Sequence, residues 1–126
     1  MTRSDIPRLD LVVLDCPDPV SLADFYARLL DWAPEGEPAK DAEWVTLRGP
    51  GGGVGIAFQR DTDYAPPTWP SPQRPQMLHL DMNVADATAA HERAVRLGAA
   101  VLDDHNRGFV VYADPAGHPF CLCRCD

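Results

Sequence analysis

The chain has 126 residues, room for one domain or two very small modules sharing a core. Hydrophobic residues make up 45% of it and charged residues 24%, an ordinary globular balance that is too apolar for intrinsic disorder. With 11 Lys and Arg against 19 Asp and Glu, the net charge of −8 argues against nucleic acid and against an anionic membrane surface, both of which call for a basic face.

Leu9 to Cys16 is apolar and β-branched and predicts a strand. Asp18-Pro19 follows, with Asp as an N-cap and Pro at the first helical position, where its missing N–H costs nothing. Leu22, Phe25, Tyr26 and Leu29 then share one face of a helix that runs to about Leu30. Trp44 to Arg48 and Val54 to Arg60 read as strands joined by Gly49-Pro50-Gly51-Gly52-Gly53. That turn lacks the Lys-Ser/Thr of a phosphate loop. Residues 61–76 hold five prolines, including Pro66, Pro67 and Pro70, and predict an extended connector. Met77 to Val84 is the next strand, Asp86 a cap, and Ala87, Ala90, Ala94 and Leu97 a helix face that ends at Gly98. Ala100 to Leu102 and Gly108 to Tyr112 predict short strands, Asp114-Pro115-Ala116-Gly117 a turn, and Pro119 to Arg124 a last strand.

Sliding the second half back by 68 positions puts His79 on Leu11, Asp86 on Asp18 and Leu97 on Leu29. The expected fold is therefore α+β, with two tandem βαβββ-type modules over about 8–60 and 77–125. Their sheets would curve around a shared cleft with the helices outside. Strand alternation then sorts the side chains. His79, Asp81 and Asn83 would face the cleft, with Leu11, Val13 and Asp15 from the first strand and Cys121 and Cys123 from the last. Ala57 and Gln59 share a face on the strand Val54 to Arg60. Polar groups on a concave face are costly unless paired or solvated, so the cleft should be wet and bind a polar small molecule.

His79 is the candidate general acid/base, with Asp81 as its orienting partner. The bland alternative is a hydrogen-bonded interior histidine. Asp15, Asn83, Gln59, Trp69 and Cys121 are the candidate ligand-binding residues. Asp15 could equally pair with an arginine, and Trp69, held between prolines, could equally cover a sheet edge. His118 could bond the backbone or reach the cleft mouth, while His91 and His105 are expected to face solvent. Cys121, Cys123 and Cys125 lack the CxxC spacing of zinc knuckles and read as small hydrophobes. Residues 1–8 lack the apolar core of an export signal and no stretch is long enough to span a bilayer. The expected compartment is the cytoplasm, where thiols stay reduced.

LDLVVLDCPDPVSLADFYARLLDW, HLDMNVAD and DPAGHPFCL together resemble the vicinal oxygen chelate superfamily across about residues 8–125. Glyoxalase I, the bleomycin- and fosfomycin-resistance proteins and the extradiol dioxygenases belong to it. With PPTWP before the second module, the chain looks most like actinobacterial glyoxalase-like proteins. The resemblance implies the tandem-module fold, a small-molecule ligand and a homodimer. In metal-using members each module supplies two ligands, and those positions fall here on Leu11, on Ala57 or Gln59, on His79 and on Cys121. Leucine cannot ligate. A His79/Cys121 pair would suit Zn²⁺ or Fe²⁺ rather than Mg²⁺ or Mn²⁺, yet is one short of the usual catalytic zinc set. Three functions follow from the resemblance. They are a small-molecule binder or metal-independent enzyme using His79, a metal-dependent glyoxalase-type lyase/isomerase or dioxygenase, and a ligand-sequestering resistance protein without turnover.

Overall fold

The computed structural model, which describes residues 5–124, builds the same four-stranded sheet twice. The chain divides into two units between Asp61 and Thr62. The first contains β1 (Leu11–Cys16), α1 (Pro19–Leu30), β2 (Ala33–Pro34), β3 (Trp44–Arg48) and β4 (Gly55–Arg60), with strand order β1-β4-β3-β2. The second contains β5 (Leu80–Val84), α2 (Ala87–Leu97), β6 (Ala100–Asp103), β7 (Phe109–Ala113) and β8 (Pro119–Arg124), with strand order β5-β8-β7-β6. In each sheet the first strand lies parallel to the last, and the other pairs are antiparallel. The tandem βαβββ organisation expected from the sequence is therefore the observed one. No helix among the described residues is long and apolar enough to cross a membrane.

The helices start and stop where local chemistry dictates. Asp18 accepts from the backbone N–H groups of Val20 and Ser21, and Asp86 from that of Ala89, satisfying donors that a helix start leaves open. Gly98 closes α2 in the left-handed conformation, and Asp31 does the same for α1. In the first unit α1 buries Leu22, Phe25 and Tyr26 over the sheet, where Tyr26 stacks on Phe58 at 5.6 Å between ring centroids. In the second unit Ala94 is the one fully buried residue of α2, and the aromatic core is instead Tyr112 stacked on Phe120 at 5.3 Å.

Two sequence expectations, on the fifth strand and on the connector, are corrected. The strand expected from Met77 begins only at Leu80, so His79 precedes it by one residue. The ladder starts with Leu80 opposite Phe120, one residue after Pro119, and a proline has no N–H to extend it. The connector is folded rather than extended. The Thr68 N–H donates to the Arg74 carbonyl at 2.7 Å, the Arg74 N–H to the Thr68 hydroxyl at 2.8 Å, and the Arg74 guanidinium to the Pro66 carbonyl at 2.9 Å. Finally, two-residue β2 has no pattern to announce it, and it tolerates Pro34 because it is an edge strand.

Candidate functional site

The site grows from the register of β5 on β8. Asp81 lies opposite Cys121 and Asn83 opposite Cys123, so these four share one face of the second sheet. Asp81 and Asn83 are exposed, whereas Leu80, Met82 and Val84 between them are partly covered. His79, just before the strand, places its Nε2 3.1 Å from Asp81 Oδ1. Donor atoms of His79, Asp81 and Cys121 all lie within 4.8 Å of one another. Burial, the Asp81 charge and a hydrogen bond to its carboxylate push the Cys121 thiol up to about 11. Burial and the same carboxylate also raise Cys123. Both are free cysteines held firmly as thiols, so neither is primed as a nucleophile. Cys125 lies outside the described residues.

The first sheet presents the counterpart face. Val13 pairs with Ala57, and Asp15 with Gln59, which in turn lies opposite Trp44. Asp15 and Gln59 are exposed cross-strand neighbours on this unit. Because Val13 corresponds to Asp81 in the repeat, its partner Ala57 corresponds to Cys121, which resolves the choice between Ala57 and Gln59. Two of the four ligand positions implied by the resemblance thus carry the hydrocarbon side chains of Leu11 and Ala57. The four-ligand set of the metal-using relatives does not fit this chain. His79, Asp81 and Cys121 remain as a possible trio on one module. Asp81 is the third donor of the trio, and its spacing of two from His79 is the signal for it in the sequence.

The other singled-out residues go elsewhere. Trp69 is half-buried in the folded connector. His118 sits in a latch: Nδ1 is 2.9 Å from the buried Asp114 carboxylate, Nε2 is 3.2 Å from the Tyr64 hydroxyl, and that hydroxyl donates to the Ala116 carbonyl at 2.8 Å. It fastens the start of the connector to the β7–β8 turn. His91 is not solvent-facing as expected. It is half-buried with Nδ1 2.8 Å from the Tyr112 hydroxyl, on a helix whose one fully buried residue is Ala94. His105 is exposed, and its contact with Asp103 raises the imidazole pKa and lowers that of the carboxylate.

Two tandem βαβββ modules with a polar face on the second define a glyoxalase/bleomycin-resistance type of protein. The glyoxalase-like domain family matches residues 11–123, and the chain belongs to that family. Solved structures share the fold. A glyoxalase/bleomycin resistance protein/dioxygenase family enzyme from Burkholderia phytofirmans PsJN is similar at TM-score 0.70 and 14% identity, covering 94% of this chain and 98% of its own. A fosfomycin resistance protein from Mesorhizobium loti gives 0.69 and 14%, with 94% and 91% covered. An antibiotic-binding protein from Streptomyces sp. CB03234 gives 0.65 and 19%, with 98% and 100% covered. No curated protein sequence matches the chain.

Proposed function

We propose that this chain binds a small polar molecule against the exposed face of β5 and β8 and transfers a proton at His79 without a metal. The observation that carries this reading is the 3.1 Å approach of His79 Nε2 to Asp81. A carboxylate oxygen there favours the proton on Nε2, which leaves the Nδ1 lone pair to accept a substrate proton. Asp81 is the positioning residue. It is held in turn by the Cys121 thiol, which stays protonated and serves as a donor rather than a nucleophile. Asn83 adds a neutral amide on the same face and Trp69 is a further ligand-binding residue of this reading, while Asp15 and Gln59 are proposed as ligand-binding residues of the first unit by itself. The antibiotic-binding and fosfomycin-resistance neighbours support a small-molecule ligand. Like them in fold, the chain is taken to act as a homodimer, which sedimentation would check.

The test is a melting-temperature screen against metabolites, repeated on His79→Ala and Asp81→Asn. A stabilising ligand whose effect disappears in His79→Ala and weakens in Asp81→Asn supports the reading, and a shift untouched by either change overturns it. The clustering of three donors within 4.8 Å favours a second reading, Zn²⁺ or Fe²⁺ held by His79, Asp81 and Cys121. Stoichiometric metal in untagged protein, lost in Cys121→Ala, would replace the metal-free account.

A further inference from the structure

We infer a second ligand site, independent of the first, in a cavity under α2 that takes a small aromatic carboxylate. The cavity holds about 360 Å³, and Val84, Ala87, His91, Val110, Tyr112 and Leu122 line most of it. By strand alternation Val84 and Leu122 point to the side of β5 and β8 opposite Asp81 and Cys121. The site described above is therefore not its mouth.

The first unit shows why the space is open. One residue of the lining is smaller than its counterpart, since β8 carries Leu122 where β4 carries Phe58. Phe58 stacks on Tyr26 in the first unit, whereas in the second the stack is Tyr112 on Phe120 and Leu122 leaves space beside it. The exposed side chains of Thr88, Asn106 and Phe109 on its lining leave the cavity open to solvent. An apolar cavity of roughly 150 Å³ is enough for benzene, so this one accommodates one or two fused rings with a substituent.

The polar groups choose the substituent. His91 and the buried Tyr112 hydroxyl form a pair on one wall, and burial keeps that hydroxyl protonated by raising its pKa. Arg107 and Arg124 also line the cavity, and among the described residues neither guanidinium is ion-paired. Arg124 makes only a long contact, 3.5 Å, to the Arg107 carbonyl. Its counterpart Arg60 is by contrast tied to the Pro17 and Ala42 carbonyls and to Glu43. In a chain of net charge −8, two such arginines at an apolar cavity are a local recognition element for a planar anion, which guanidinium meets in bidentate fashion.

The probe is 2-naphthoate, titrated into the full chain while backbone amide shifts are followed, with the neutral 2-naphthalenemethanol as comparison. Saturable shifts centred on residues 87–91, 107–112 and 122–124 are expected. Naphthoate should bind about tenfold or more tighter than the alcohol, a difference that Arg107→Gln or Arg124→Gln reduces about tenfold. Leu122→Phe, which installs the side chain found in the first unit, should abolish binding, and His79→Ala should leave it intact. Equal affinity for the alcohol, shifts centred on Asp81 to Asn83 that vanish in His79→Ala, or no saturation at millimolar naphthoate would each overturn the proposal. Should Leu122→Phe fail to fold, the wild-type shift map and the two arginine variants decide it.

Discussion

α1 presses Leu22, Phe25 and Tyr26 onto its sheet, while α2 offers Ala87, Ala90 and Ala94 to a sheet of the same strand order. The opposite faces differ in the reverse sense. Leu11, Val13 and Ala57 make much of the first face hydrocarbon, whereas the corresponding positions of the second are His79, Asp81 and Cys121. One copy of the repeat is specialised for packing and the other holds the titratable groups and the unfilled space. Duplication makes this division possible, because a module with a dense core can carry stability that a polar, loosely filled one lacks.

The contrast can be broken experimentally, most forcefully at Tyr26. Tyr26→Ala removes a fully buried ring and should cost about 3–5 kcal/mol in urea unfolding. His91→Phe in the second module should cost only about 1 kcal/mol, since it removes a single hydrogen bond beside existing space. Comparable losses would show that the modules are packed alike. Next in size is the thiol. The folded state binds the Cys121 proton more tightly than the unfolded chain, whose ordinary value is 9.0. Its stabilising contribution is therefore complete below about pH 9 and is lost as pH rises through about 11. Alkylation of Cys121 should be slow at pH 8 and accelerate in Asp81→Asn, which removes the charge holding the proton on sulfur. An unchanged rate would separate Asp81 from Cys121. The smallest effect is at His105. Asp103→Asn should lower its pKa, read by imidazole proton shifts, and leave the melting temperature unaltered.

The fold was legible because its signals are local. Asp18-Pro19 and Asp86 cap helices whatever else surrounds them, and glycine-rich turns separate the strands. Face assignment at Asp15, Asp81 and Asn83 also followed from alternation alone. The errors lie where a partner strand or a distant side chain decides. The late start of β5 depends on Pro119, at the head of β8. The folding of the connector depends on Arg74 reaching back to Thr68 and Pro66. His91 is turned toward the sheet by Tyr112, 21 residues further on, a partner that the sequence around it does not reveal. The doubt between Ala57 and Gln59 needed cross-strand register, which only pairing supplies.

Pro119 has one more consequence. Leu80 to Val84 are clamped by β8, but His79 sits outside that ladder, next to exposed Leu78 and Met77. Its amide should therefore exchange with solvent deuterium well before those of the strand, since opening there breaks no sheet bond. The imidazole rides on the last unfastened link before a fixed β-ladder. A proline at the head of β8 thus sets where the fixed ladder begins, one residue after His79.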